Sequence, residues 1–560
     1  MSTTAGKAAA GSGIVLLTLA SGQFVMTLDS SVMNVSIATV AKDVGTTVTG
    51  IQSAITFYTL VMATLMITGG KLGQILGRKR AFGIGCIIYG CGSFVTALSH
   101  SLPVLLLGWS VLEGIGAALI LPAIVALVAS NFAASERPRA YGLVASAGAI
   151  AVAAGPLIGG LLTTYASWRW VFIGEVLIVI AILAVGRRMV EPEPAPDTHP
   201  RLDLVGTALS SLGLGLIVFA ILKAGSWGFV QPKPDAPHWL GLSPSIWLVM
   251  GGGLVVWFFF RWENRQLERG AEPLVDPSIL LNRNLRGGLT AFFFQYLVQA
   301  GLFFAVPLFL SVALGLSAID TGVRLLPLSI TLLLAAVGIP KIAPNASPRR
   351  VVRAGFLAMF AGVAVMVGAL DAGAGPEIVT WPMLLAGLGI GALASQLGAV
   401  TVSSVPDEES SEVGGLQNTV TNLGASIGTA LSGAVLISAL TTTLIAGIQH
   451  NPAVPANVKA QANTELSSGV PFMSDDDLKT ALDKAGVPSG AADAIVKENE
   501  IARIGALRSS LSVIAVIALI ALFCSISIPE RQPAAGRAGP PGADDTPPES
   551  SSAPLSPAAG

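Results

Sequence analysis

A chain of 560 residues that is 52% hydrophobic and only 12% charged holds about half the charge of an ordinary soluble protein, which excludes a string of water-soluble globular domains. Its net charge of −1 points to neither nucleic acid nor an acidic partner, so the informative feature is where the charges lie. Cys86, Cys91 and Cys524 all fall in apolar runs and read as small apolar side chains rather than a disulfide framework or a metal site.

Residues 1–12 are small and polar with a single Lys7 and read as an N-terminal tail. The apolar segment behind them outruns the core of a signal peptide and reads as a retained first span. Crossing about 30 Å of hydrocarbon takes roughly 20 apolar residues in a helix, because every backbone N–H and C=O must be satisfied within the segment. Runs of that length recur fourteen times, near 13–40, 50–70, 81–99, 102–130, 138–165, 168–187, 203–225, 243–261, 287–315, 320–340, 351–371, 379–401, 411–446 and 508–528.

Lys and Arg in short loops collect on the cytoplasmic side of a membrane. With the N-terminus inside, the inner loops hold Lys71, Arg78, Lys79, Arg80, Arg137, Arg139, Arg187, Arg188, Arg201, Arg261, Arg265, Arg269, Arg283, Arg286, Lys341, Arg349, Arg350 and Arg353. The short outer loops hold only Lys42, Arg169, Lys223, Lys233 and Arg324. Miscounting one span midway would scramble this asymmetry, so the sequence predicts an all-α, multi-pass protein of fourteen spans with both termini in the cytoplasm.

Residues 447–507 form a long polar outer loop, in which Ser474 is placed to cap a short helix with three aspartates in its first turn; the loop reads as a solvated amphipathic hairpin, with a ligand lid as the alternative. From Pro529 to 560 the chain is rich in Pro, Ala, Gly and Ser, which cannot bury enough surface to fold, and reads as a disordered cytoplasmic end.

Charges within hydrocarbon cost several kcal/mol, so those that persist usually face a cavity and do work. The acids away from the ends of the spans are Asp29, Glu113 and Glu175, no Lys or Arg lies deep enough to pair with them, and His100, His199, His238 and His450 fall in loops. A proton relay across the membrane is therefore expected to use these carboxylates. At about 1.5 Å per residue, Glu113 lies about 16 Å from the outer end of its span, near the midplane, and Asp29 about 24 Å from its inner end. Glu175 lies about 8 Å from the outer end of its span, where an interfacial structural role is equally open.

Four stretches carry a family resemblance. GGKLGQILGRKR at 69–80 joins a glycine-rich turn, with Gly70, Gly73 and Gly77 allowing close approach, to the basic residues Arg78, Lys79 and Arg80. In AGAIAVAAGPLIGG at 147–160, Gly155 and Gly159 lie four apart on one face and Pro156 removes a backbone donor and bends the helix. WRWVF at 168–172 follows, and LDSSVMNVSI lies in the first span. In this order they resemble the major facilitator superfamily, most closely its fourteen-span drug:proton antiporter group, over residues 20–190. GVRLLP at 322–327 and GGLQNTVTNLGASIGTA at 414–430 extend the likeness more loosely. The chain departs from the pattern at Gln74, where the group has an acid, at Ser110 and Glu113, where it has an arginine and a glutamine, and at Glu175, where it has an asparagine.

The resemblance implies two six-helix bundles, here 13–190 and 287–528, with two inserted helices between them at 191–286 and a midplane cavity ringed by spans one, four, nine and twelve. Asp29 and Glu113 sit on two of those spans. On span nine Gln295 and Gln299 lie four apart, flanked by Phe292, Tyr296 and Phe303, a face suited to flat apolar or cationic molecules or, for the rings, to lipid. Asn418 and Asn422, also four apart, suit helix–helix hydrogen bonding. The function implied is a proton-coupled multidrug exporter in a bacterial cytoplasmic membrane, monomeric, partnered by lipid, protons and a small molecule, with no enzyme chemistry, no metal and no cofactor. No GxxxxGK[ST] loop argues for ATP use. Export of one endogenous metabolite or lipid, proton symport, and a non-transporting membrane sensor remain alternatives.

Overall fold

The computed structural model of the chain describes residues 2–46, 48–133, 135–187, 201–233, 236–371, 373–406, 409–466, 470 and 472–531. Most of the expected C-terminal tail, 532–560, lies outside the described residues. In chain order the helices are α1 Ser2–Asp43, α2 Val48–Leu76, α3 Arg78–Ala97, α4 Leu102–Asn131, α5 Arg137–Tyr165, α6 Arg169–Gly186, α7 Leu204–Trp227, α8 Pro244–Glu268, α9 Arg283–Ala313, α10 Ala318–Ile342, α11 Pro348–Ala369, α12 Thr380–Val402, α13 Ser410–His450, α14 Ala456–Glu465, α15 Asp475–Lys484 and α16 Ser489–Cys524. All but α14 and α15 contain a stretch long and apolar enough to cross a bilayer, fourteen among the described residues, as the sequence predicts.

Local chemistry sets where these helices begin. The Asp203 carboxylate accepts from the N–H groups of Val205 and Gly206 at the start of α7, Asn282 does the same for Asn284 and Leu285 at α9, and Ser317 accepts from Asp320 at α10. In the outer loop, Ser474 Oγ accepts from the Asp477 N–H, and Asp475, Asp476 and Asp477 lie in the first turn of α15, as the sequence predicts. The flanking helices reach further into that loop than hydropathy suggests, since α16 begins at Ser489 and α13 ends at His450. His450 therefore sits in a helical last turn rather than a loop.

Helices α1–α6 pack together, and α9–α13 with α16 form a second bundle around Val298, Phe309, Phe356, Leu393 and Leu511. Within the first bundle α1 lies along α5. A Cβ on Gly159 would stand 2.9 Å from Val32 Cγ1, and one on Gly155 would strike Ser31, so the small residues four apart let these two helices touch as expected. The α5 backbone runs unbroken through residue 156, and the Pro156 side chain lies outside the described residues.

The two bundles meet along α5 with α10 and along α2 with α13. They are sealed together at the end that carries most of the basic residues. There the apolar core of the first bundle continues into Leu285, Leu289, Ala399, Val402, Val413 and Leu416 of the second. Arg137, 3% exposed, donates to Ser403 Oγ across the seam at 3.1 Å. The inserted helices α7 and α8 pair with each other, and α7 lies against both α2 and α13.

Candidate functional site

Span four is not a plain α-helix. Residues Leu106–Glu113 form a π-helical segment, a geometry frequent at functional sites. It opens where α4 crosses α3 at a glycine pair: a Cβ on Gly92 would lie 2.6 Å from Glu113 Cγ and 2.7 Å from the Gly108 carbonyl. That close crossing seats Glu113 against α3, facing the interior of the first bundle.

Three acids converge there. Asp29 of α1, Glu113 of α4 and Glu175 of α6 each offer a carboxylate oxygen within 4.8 Å of the other two, and their exposures are 0%, 0% and 1%. The Trp109 Nε1–H points at both Asp29 oxygens, 2.8 Å from each. Ser93 Oγ donates to Glu175 Oε2 at 3.1 Å. Thr96 Oγ1 lies 3.2 Å from Glu113 Oε1 and 2.8 Å from the Gly92 carbonyl; its single proton serves one of them. Glu113 Oε2 and Glu175 Oε1 are buried without a hydrogen-bond partner, and no cation forms an ion pair with any of the three among the described residues.

This settles one point the sequence left open and differs from the sequence reading in another. For Glu175, whose role the sequence left open, the structure takes the grouping with the other two acids over the interface, because depth counted from a helix's own end ignores tilt and the reach of the side chain. The acids also point into the first bundle rather than into a cavity between the bundles. Each of the three offers a carboxylate oxygen close enough to the others for a cation or a shared proton to lie between them. The arrangement suits acids that share protons.

The other predicted residues fall into separate places. Gly70 and Gly73 lie inside α2, not in a turn, and face Ser411 of α13; the turn is Gly77 alone, at φ +88°. Arg78 and Lys79 open α3, with Lys79 Nζ 3.4 Å from the Arg187 carbonyl. On α9, Phe292 and Gln295 are buried, whereas Tyr296, Gln299 and Phe303 are half-buried. Gly288, against Thr401 of α12, shares their helical face with Gln295 and Gln299, and the Oε1 atoms of both glutamines have no protein partner. Asn418 and Asn422 do not bridge helices: each donates to the carbonyl four residues back, of Gly414 and Asn418. In an apolar helix a backbone carbonyl within the same turn is the nearest acceptor.

Sequence reasoning missed several groups. Lys71, counted as a loop charge, is 5% exposed and pairs across the seam with Glu412 of α13, which is 6% exposed and was passed over as a titratable group within the spans. Glu412 Oε2 also accepts from the Asp276 N–H, in the segment that leads from α8 to α9. Trp109 escaped notice because a tryptophan in an apolar span reads as core. At the opposite end of the first bundle, Asp43 accepts from Trp168 Nε1 at 3.0 Å and from Arg169 at 3.2 Å, and Arg169 also reaches the Ser99 carbonyl. That network gives WRWVF its physical sense: it fastens α6 to α1 and α3.

Among the described residues, twelve apolar helices in two bundles, with two more inserted between them and a buried acid cluster, define a multi-pass membrane carrier. The family model for the Major Facilitator Superfamily matches residues 19–429, and the chain belongs to that family, a transporter rather than an enzyme. It is 27% identical over 449 residues to the probable actinorhodin transporter of Streptomyces coelicolor, covering 79% of this chain and 74% of the relative. It is 29% identical over 427 residues to the puromycin resistance protein pur8 of Streptomyces alboniger, covering 74% of this chain and 80% of the relative. The crystal structure of the human organic anion transporter MFSD10 superposes with a TM-score of 0.54 at 13% identity, over 92% of this chain and 99% of that one, which shows the shared fold.

Proposed function

We propose that the chain is a proton-driven antiporter that exports hydrophobic or cationic small molecules, of the antibiotic kind named for its relatives, from a bacterial cytoplasm. The observation that carries this reading is the group of three buried acids with no cationic partner among the described residues. Charge at such depth costs several kcal/mol and is usually kept where it does work. Three carboxylates this close cannot all be ionised, so each proton gained or lost changes the repulsion inside the first bundle.

Because the acids face the bundle interior, coupling runs through packing rather than through direct competition with cargo. Protons arriving from outside neutralise the cluster, α1, α4 and α6 close on one another, and the bundles rock. Inward release restores the charge. Cargo is held between the bundles at Phe292, Gln295, Tyr296, Gln299 and Phe303, where amides orient it and rings stack on it. With both termini in the cytoplasm, the sealed basic end faces inward. The chain works as a monomer, and the proton gradient supplies the energy without a cofactor. A second reading, a dedicated exporter of one endogenous metabolite, is favoured by the similarity to a probable actinorhodin transporter.

The test is counterflow of puromycin and of ethidium in proteoliposomes under an imposed pH gradient, comparing wild type with Asp29→Asn and Glu113→Gln. Uphill accumulation should be lost in both variants while downhill exchange persists. Uphill pumping by both at the wild-type rate sinks the proton assignment.

A further inference from the structure

An indole N–H only donates, so the two Asp29 oxygens equidistant from Trp109 Nε1 are both acceptors, and neither carries a proton on that side. A bisected carboxyl group of this kind has the geometry of an anion bound to one donor. Ser110, next along the helix, donates to the Ala54 carbonyl at 2.8 Å and has nothing left for Asp29. Trp109 is itself held firmly: it is 1% exposed, and its ring stacks on Tyr58 of α2 with centroids 5.4 Å apart and planes 7° from parallel. The titratable groups facing Asp29 are Tyr58 from α2, Tyr89 from α3, Glu113 from α4 and Glu175 from α6. The described part of α5 that packs on α1, around Val152, Gly155 and Gly159, presents none.

We propose that Trp109 is the positioning residue of the acid cluster: its N–H fixes the Asp29 carboxylate within reach of Glu113 and Glu175 and makes Asp29 the member that holds the negative charge when the cluster is only partly protonated. A neutral donor suits this task. An arginine would leave a permanent positive charge beside the acid, whereas an indole lets protonation alone switch the cluster between charged and uncharged states. The significance for transport rests on the proton-coupling reading, but the bond can be tested without any cargo.

The experiment is infrared titration of the purified full-length protein, with the Asp29 carboxyl band identified by its loss in Asp29→Asn. In Trp109→Phe, which keeps a ring for Tyr58 to stack on, the midpoint of that band should be displaced by about one pH unit, the scale of one hydrogen bond to a charged group. A midpoint unchanged from wild type overturns the proposal. Should Trp109→Phe not fold, the indole 15N–H resonances of wild type and Asp29→Asn decide instead: one resonance must lose its strongly hydrogen-bonded position in the variant, and a spectrum without that change overturns the proposal equally. The two readings fail separately. Uphill pumping by Asp29→Asn removes the coupling role and leaves a band shift standing, whereas loss of pumping together with an unmoved band in Trp109→Phe removes the positioning role alone.

Discussion

Lys71 Nζ lies 3.3 Å from Glu412 Oε1, and both side chains are less than a tenth exposed although they belong to different bundles. A buried ion pair adds little stability over a well-packed apolar pair, but removing one partner strands a charge at a cost of about 3–5 kcal/mol. This one exists only while α2 and α13 touch at the basic end, so Lys71→Ala should penalise the sealed form selectively. In a background without the three native cysteines, a probe at Ser411→Cys should be alkylated faster once Lys71 is Ala. The double variant Lys71→Met with Glu412→Gln should recover much of the protection. An alkylation rate indifferent to Lys71 removes the pair from the gate.

The crossing of α3 over α4 predicts an asymmetry between two glycines of the same helix. Gly92→Ala drives a methyl group against Glu113 Cγ and the Gly108 carbonyl, whereas a Cβ on Gly83 meets nothing within 4 Å. Thermal unfolding in detergent should show a loss of about 1–3 kcal/mol for Gly92→Ala and no loss for Gly83→Ala, which gains helix propensity. Equal effects would mean that the crossing is looser than described.

On the proposed export function, Gln295→Ala and Gln299→Ala should each raise the KM for an exported antibiotic about tenfold, the value of one good hydrogen bond to cargo, and leave the pH midpoint of transport in place. A shift of the midpoint with KM unaltered would assign these amides to proton handling instead.

Arg503 is 1% exposed and ties three places together, donating to Asp475 Oδ1 at 2.6 Å, to the Met473 carbonyl at 2.9 Å and to the Val312 carbonyl at the end of α9. Arg503→Ala should release the segment between α13 and α16, seen as faster proteolysis there with the bundles intact. Ser474→Ala, which loses only a cap worth about 1 kcal/mol, should have a smaller effect. Equal cleavage of the two variants would mean that Arg503 is not what holds this loop.

The fourteen helices were legible because a bilayer imposes one length and one composition on every span, and Gly155 and Gly159 were legible because small residues four apart have one main use. Asp29 and Glu113 stood out as acids where acids are costly. Whether Glu175 joins them was left open by the sequence, since that depends on tilt and on contacts between residues more than 60 positions apart in the chain. Trp109 is indistinguishable in sequence from any core aromatic until its N–H is seen to point at a carboxylate. Lys71 was hidden by its own cluster, because inside-positive bias accounts equally well for a lysine at that helix end, and only the opposing Glu412 shows that it is paired. Asn418 and Asn422 were misread because their spacing fits a neighbouring helix as well as their own backbone.

The placement of α7 has a consequence for the seams between the bundles. By lying on both α2 and α13 it walls off one of the two lateral seams, while α8 behind it offers Met250, Leu254, Trp257 and Phe258 outward to the hydrocarbon. The two flanks of the molecule thus differ: the α2–α13 seam is shuttered from the bilayer by an extra helix, whereas the α5–α10 seam is closed by the two bundles' own helices.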